Sequence, residues 1–123
     1  MTFVLLALGG VIGALCRYHL SQIVQARSGL AFPLGTLVIN TGGSFVLGVL
    51  VSLLATHPAW PAAQLQLILG TGFCGAFTTF SSFAWETVEL WRDGSRVRAA
   101  TNLIGQPVLG MLAAWLGVLI GAL

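Results

Sequence analysis

Lysine is absent from this 123-residue chain, and charge of either sign is scarce: five arginines and three acids make up 7% of the residues. A soluble domain carries about a quarter charged residues, so this composition excludes an ordinary water-facing surface. A net charge of +2 is too small for a nucleic-acid-binding face, and no nucleic-acid partner is expected. Cysteine occurs only as Cys16 and Cys74, without CxxC spacing, which excludes a disulfide framework and argues against zinc. Both read as small buried hydrophobes. There is no Ser, His and Asp constellation and no phosphate loop, so an enzyme is not expected. No acid falls in the first, second or fourth apolar run, and proton coupling typically places its embedded acid in the first helix, so proton-coupled transport loses support.

What is there is apolar. Hydrophobic residues are 57% of the chain, and mean hydropathy is +0.97. Four runs, roughly 2–24, 33–55, 64–91 and 99–123, reach the ~20 residues that cross a bilayer as a helix. The expected fold is all-α, a four-helix integral membrane bundle forming one transmembrane domain over residues 1–123. The first run lacks a basic opening and a small-residue cleavage site and reads as a retained helix. Arg27, Arg92, Arg96 and Arg98 fall in the joints after runs 1 and 3, whereas the joint at His57-Pro58 has no arginine. The positive-inside rule then places both termini outside. Small residues four apart, Gly9 and Gly13, Ser44 and Gly48, Gly117 and Gly121, predict close helix contacts. So compact a subunit is expected to dimerise.

The chemistry concentrates in two helices. Thr36, Asn40, Ser44, Gly48 and Ser52 follow one another at steps of four and share a face of helix 2. Asn40 places an amide with two donors mid-membrane, as interhelical glue or as part of a polar path. In helix 3 the stretch 70–83, GTGFCGAFTTFSSF, combines Gly70, Gly72 and Gly75 with Thr78 and Thr79. It predicts a kink or an unwound turn near 75–79. Unwound backbone in a bilayer must be satisfied by protein, water or an ion, and freed carbonyls suit an alkali cation. A glycine packing kink is the other reading. Phe73, Phe77, Phe80 and Phe83 recur at helical spacing, as a packing stripe or as rings whose positive edges face an anion. Arg17, about 24 Å along its helix, snorkels to headgroups or charges a pore mouth. Glu86 and Glu89 read as solvated interfacial carboxylates.

Three stretches resemble the CrcB/Fluc family of fluoride channels: GGVIGALCR at 9–17, GTLVINTGGSFVLG at 35–48, and GTGFCGAFTTFSSF at 70–83. A fourth, TNLIG at 101–105, matches more weakly. The resemblance implies a multi-pass inner-membrane channel that passively exports fluoride from the cytoplasm and so lowers its toxicity. It implies a dual-topology dimer of two subunits in opposite orientations, an antiparallel homodimer; the four-to-none arginine count of the joints adds a heterodimer with an inverted paralogue as the other arrangement. It places Arg17 in a vestibule, Asn40 in the pore as an amide donor, and Phe80 and Phe83 edge-on to fluoride. Ser44, Thr79 and Ser81 become hydroxyl contacts. Main-chain carbonyls of Gly75 and Thr78 would hold a structural sodium ion that is not transported. The sequence departs from the family pattern at Ala76, Ser82 and Gln106-Pro107. A small proton-coupled exporter of the multidrug type is the alternative of similar length and helix number.

Overall fold

The computed structural model describes residues 2–123, which form four helical spans long and apolar enough to cross a membrane: Thr2–Ser28, Leu34–Thr56, Ala62–Arg92 and Arg96–Gly121. The protein is a multi-pass membrane protein. Its third span is broken, so the helices are α1 (Thr2–Ser28), α2 (Leu34–Thr56), α3 (62–77), α4 (Phe80–Arg92) and α5 (Arg96–Gly121), with no strand among the described residues. Helix α3 is itself composite, with a π-helical run over Gln66–Cys74 between short α-helical ends.

Lipid gives no hydrophobic drive between helices, so association depends on close backbone approach. Glycine supplies it. On the inner face of α1, a Cβ at Gly9 would strike the Ile68 carbonyl, and one at Gly13 the Phe73 carbonyl, so α1 lies directly on the backbone of α3. Between α2 and α5, Gly48 faces the Ala114 carbonyl, while Gly117 and Gly121 face the carbonyls of Phe45 and Val49. The expected small-residue pairs are therefore the contact points of two different helix pairs. The outward faces of the bundle stay apolar, with Leu15, Trp85, Leu112 and Trp115 exposed.

The joints are pinned by side chains and positive-φ glycines. Gln25 Nε2 donates to the carbonyls of Leu30 (2.9 Å) and Phe32 (3.2 Å), and its Oε1 accepts the Gly35 N–H at the start of α2 (3.1 Å). Gly29 at φ +60° turns that joint and Gly94 at φ +78° turns the one before α5.

The break is narrower than expected. Only Thr78 (ψ 160°) and Thr79 (φ −149°, ψ 120°) are extended, whereas Gly75 remains helical at φ −63°, ψ −35°. Gly72 serves close approach rather than unwinding: a Cβ there would lie 2.9 Å from the Leu6 carbonyl. Threonine makes the break instead. Thr79 caps α4, its Oγ1 accepting the Ser82 N–H at 3.2 Å.

Candidate functional site

Two extended residues in a membrane span leave backbone groups that must find partners. Asn40 provides them. Its Oδ1 accepts the Thr79 N–H (2.8 Å) and its Nδ2 donates to the Thr79 carbonyl (3.0 Å), a two-pronged pairing like one rung of a sheet. The second hydrogen of Nδ2 goes to Gln106 Oε1 (3.0 Å) on α5. Asn40 thus ties three helices together at the break.

A directional chain of hydrogen bonds continues from there. Gln106 Nε2 donates to Asn102 Oδ1 (2.9 Å), Asn102 Nδ2 to Thr87 Oγ1 (2.8 Å), and Thr87 Oγ1 to the Phe83 carbonyl (2.7 Å). Asn102 is fully buried, and Gln106 nearly so. Every member is neutral, so this path holds dipoles and no fixed charge.

The same break releases carbonyls. Continuous helix would give the Gly75 carbonyl the Thr79 N–H, and the Thr78 carbonyl the Ser82 N–H. Asn40 Oδ1 takes the first and Thr79 Oγ1 the second. Gly75 and Thr78 line an open cavity of about 310 Å³, together with Asn40, Ser44 and Phe80.

A second groove, about 380 Å³, is bounded by Asn40, Ser44, Thr79, Phe80, Phe83 and Gln106. Phe83 is buried, while Phe80 stands out at the protein surface with 79% of its area exposed. Their ring centroids are 5.5 Å apart at an interplanar angle of 57°. Tilted rings of this kind present edge hydrogens in different directions. A third cavity, about 650 Å³ and more polar, contains Arg17, Gln25, Ser81, Glu86 and Asp93. Thr79 lines all three, so this polar cavity and the two grooves meet at the break.

The sequence profile of a family described as "CrcB-like protein, Camphor Resistance (CrcB)" matches residues 4–118. The chain belongs to the CrcB family. Among its relatives, a protein of Magnetococcus marinus named fluoride-specific ion channel FluC is 47% identical, with 95% of this chain and 94% of the relative covered. One of Solibacter usitatus with the same name is 41% identical, with 98% of each covered. A Moorella thermoacetica relative, 43% identical with 95% and 93% covered, is named fluoride-specific ion channel FluC 2. These CrcB relatives carry a channel's name and not an enzyme's.

In this CrcB chain the residues singled out from the sequence converge. Asn40, Ser44, Thr79, Phe80 and Phe83 share one groove, Arg17 and Ser81 share the polar cavity, and Gly75 and Thr78 share the remaining one. Asn40, read from the sequence as interhelical glue or as an amide donor on a polar path, has both its N–H groups engaged within the protein. The readings of Glu86 and Cys16 need revision. Glu86 is no solvated surface carboxylate: Thr36 Oγ1 donates to its Oε1 at 2.5 Å, and its Oε2 is buried without a partner. The four-residue steps on α2 explain this, because Thr36 precedes Asn40 by one turn and faces α4 as Asn40 faces the break. Cys74 is buried as expected, but Cys16 is exposed. Gln106, Asn102 and Thr87 were missed as partners. Asn102 and Gln106 at i, i+4 in an apolar helix were the available signal.

Proposed function

We propose that this CrcB chain is a fluoride-selective channel that lets fluoride leave the cytoplasm down its electrochemical gradient. The observation that carries the proposal is the groove at the break, where tilted phenyl rings, an amide and hydroxyls converge with no charged side chain among them. A fixed cation there would trap a small anion; neutral dipoles replace its hydration and still release it. Fluoride holds water strongly and needs many close donors, which disfavours larger halides in so narrow a set. Hydrogen fluoride enters cells uncharged and dissociates in the more alkaline cytoplasm, so a passive path in the inner membrane suffices for export.

On this reading, Arg17 in the vestibule raises local fluoride concentration, and Thr79 and Ser81 pass the ion to the groove of Phe80, Phe83, Asn40 and Ser44. That groove is open along one side. A second, inverted copy covering it would screen the ion from lipid, and an inverted paralogue would do so equally. Relatives named with a number suggest that some genomes encode more than one such chain.

The dimer axis would also carry sodium. The carbonyls of Gly75 and Thr78 fit it, since their helical donors are diverted and carbonyl oxygen is a hard ligand suited to an alkali cation. Sodium would join the two subunits there without moving through the pore. No group of three or more His, Cys, Asp or Glu among the described residues offers a competing metal site.

Purified protein in potassium fluoride-loaded liposomes tests the proposal. Adding valinomycin is expected to release fluoride rapidly, with no imposed proton gradient, while chloride-loaded vesicles release almost nothing. Fluoride release that requires a proton gradient would replace the channel with the exporter. Substituting potassium or lithium for sodium during purification and assay is expected to depress the rate. An unchanged rate after complete sodium removal would withdraw the Gly75 and Thr78 assignment.

A further inference from the structure

Both hydrogens of the Asn40 amide are engaged within the protein, one by the Thr79 carbonyl and one by Gln106 Oε1. An anion that is to be met by Asn40 must displace one of these acceptors. The two are not equivalent. Losing the Thr79 carbonyl would undo the pairing that closes the helix break and leave a backbone oxygen unsatisfied in the membrane. Gln106 is a side chain, and its Nε2 anchors it to Asn102 independently of the contact with Asn40. It can give up the Asn40 hydrogen without unmaking the fold.

From this geometry, and on the fluoride reading above, we infer that Gln106 is a selectivity-setting positioning residue: its Oε1 occupies the Asn40 N–H that the permeating anion must win by exchange. The arrangement favours the strongest hydrogen-bond acceptor among the halides. Fluoride displaces an amide oxygen; chloride, larger and a weaker acceptor, does not. Gln106 borders the same groove as Phe80 and Phe83, so the exchange takes place beside the aromatic contacts. Its fixed position comes from behind, through Asn102 and Thr87 to the Phe83 carbonyl. Pro107 follows immediately and cannot donate to the carbonyl one turn back, which loosens α5 where Gln106 must move slightly.

Three variants reconstituted in liposomes separate this role from simple packing. Gln106→Met keeps the approximate volume and removes the competing oxygen; Gln106→Ser is too short to reach Asn40. Each also gives up the bond from Gln106 Nε2 to Asn102 Oδ1, so the readout is the ratio and not the rate: in both, the chloride-to-fluoride permeability ratio is expected to rise about threefold to tenfold, the span set by one ordinary hydrogen bond. Gln106→Glu keeps the shape, holds Asn40 more firmly and repels the anion, so fluoride flux is expected to fall at least about tenfold. A purely structural role would slow every variant and leave the ratio unmoved. An unchanged ratio in whichever of Gln106→Met and Gln106→Ser reconstitutes, or full flux in Gln106→Glu, overturns the inference. Failure of the unaltered protein to pass fluoride would defeat the channel reading itself, which distinguishes the two.

Discussion

Replacing Asn40 with alanine is expected to cut fluoride conduction by more than about a hundredfold. The substitution removes three hydrogen bonds at once and strips both partners from the Thr79 backbone. A buried donor or acceptor left unsatisfied costs about 1–3 kcal/mol, and there are two on Thr79 alone, so the extended pair at residues 78–79 loses its support. Because 1.4 kcal/mol is a factor of about ten, the lower end summed over the two groups, about 2 kcal/mol, already exceeds tenfold. The rest comes from displacement of Thr79, which borders the polar cavity and both grooves. Thermal unfolding in detergent should also begin at lower temperature. Asn40→Asp gives a sharper comparison: its carboxylate can still accept the Thr79 N–H but cannot donate to the Thr79 carbonyl, and it places a negative charge on an anion's path. It should be no better than alanine. Efflux within twofold of the parent for either variant would mean that the amide neither shapes nor lines the pathway.

Phe80→Leu and Phe83→Leu should each slow fluoride by at least about tenfold while chloride stays excluded. Leucine retains apolar bulk but has no ring quadrupole, so it removes the positive edge that would face the ion. The two positions differ in a useful way. Phe83 is buried, and a ring-to-leucine change there can also disturb packing. Phe80 is largely exposed in the single chain, so its replacement should leave the subunit's own stability nearly unchanged. A slow but normally folded Phe80→Leu protein would therefore report on the ring's contact with the ion or with a covering subunit. Normal conduction by both leucine variants would reduce these phenylalanines to packing.

The architecture was legible because hydropathy and small-residue spacing answer directly to the bilayer. Runs of about 20 apolar residues must be helices there, and Gly9, Gly13, Gly48, Gly117 and Gly121 meet neighbouring backbones as their four-residue spacing implies. The break was legible in place but not in mechanism. Gly75 drew attention by its intrinsic flexibility, yet it stays helical, and the chain unwinds where Thr79 can cap α4 and Asn40 can reach across. That outcome depends on a residue 39 positions away, which local propensity cannot register. The same limit hid Gln106. In sequence it stood only as a departure from the family pattern; in three dimensions its length lets it bridge Asn40 and Asn102. Glu86 was misread for a related reason, since only the packing of α2 on α4 brings Thr36 to it.

The most direct measurement is the reversal potential of single or few channels in a planar bilayer. With sodium present on both sides, chloride held symmetrical and fluoride in a tenfold gradient, current should reverse about 59 mV from zero, on the side set by fluoride, as for any univalent ion carried alone. A reversal near zero, or one that follows an imposed pH difference instead, would contradict a fluoride path built from neutral dipoles.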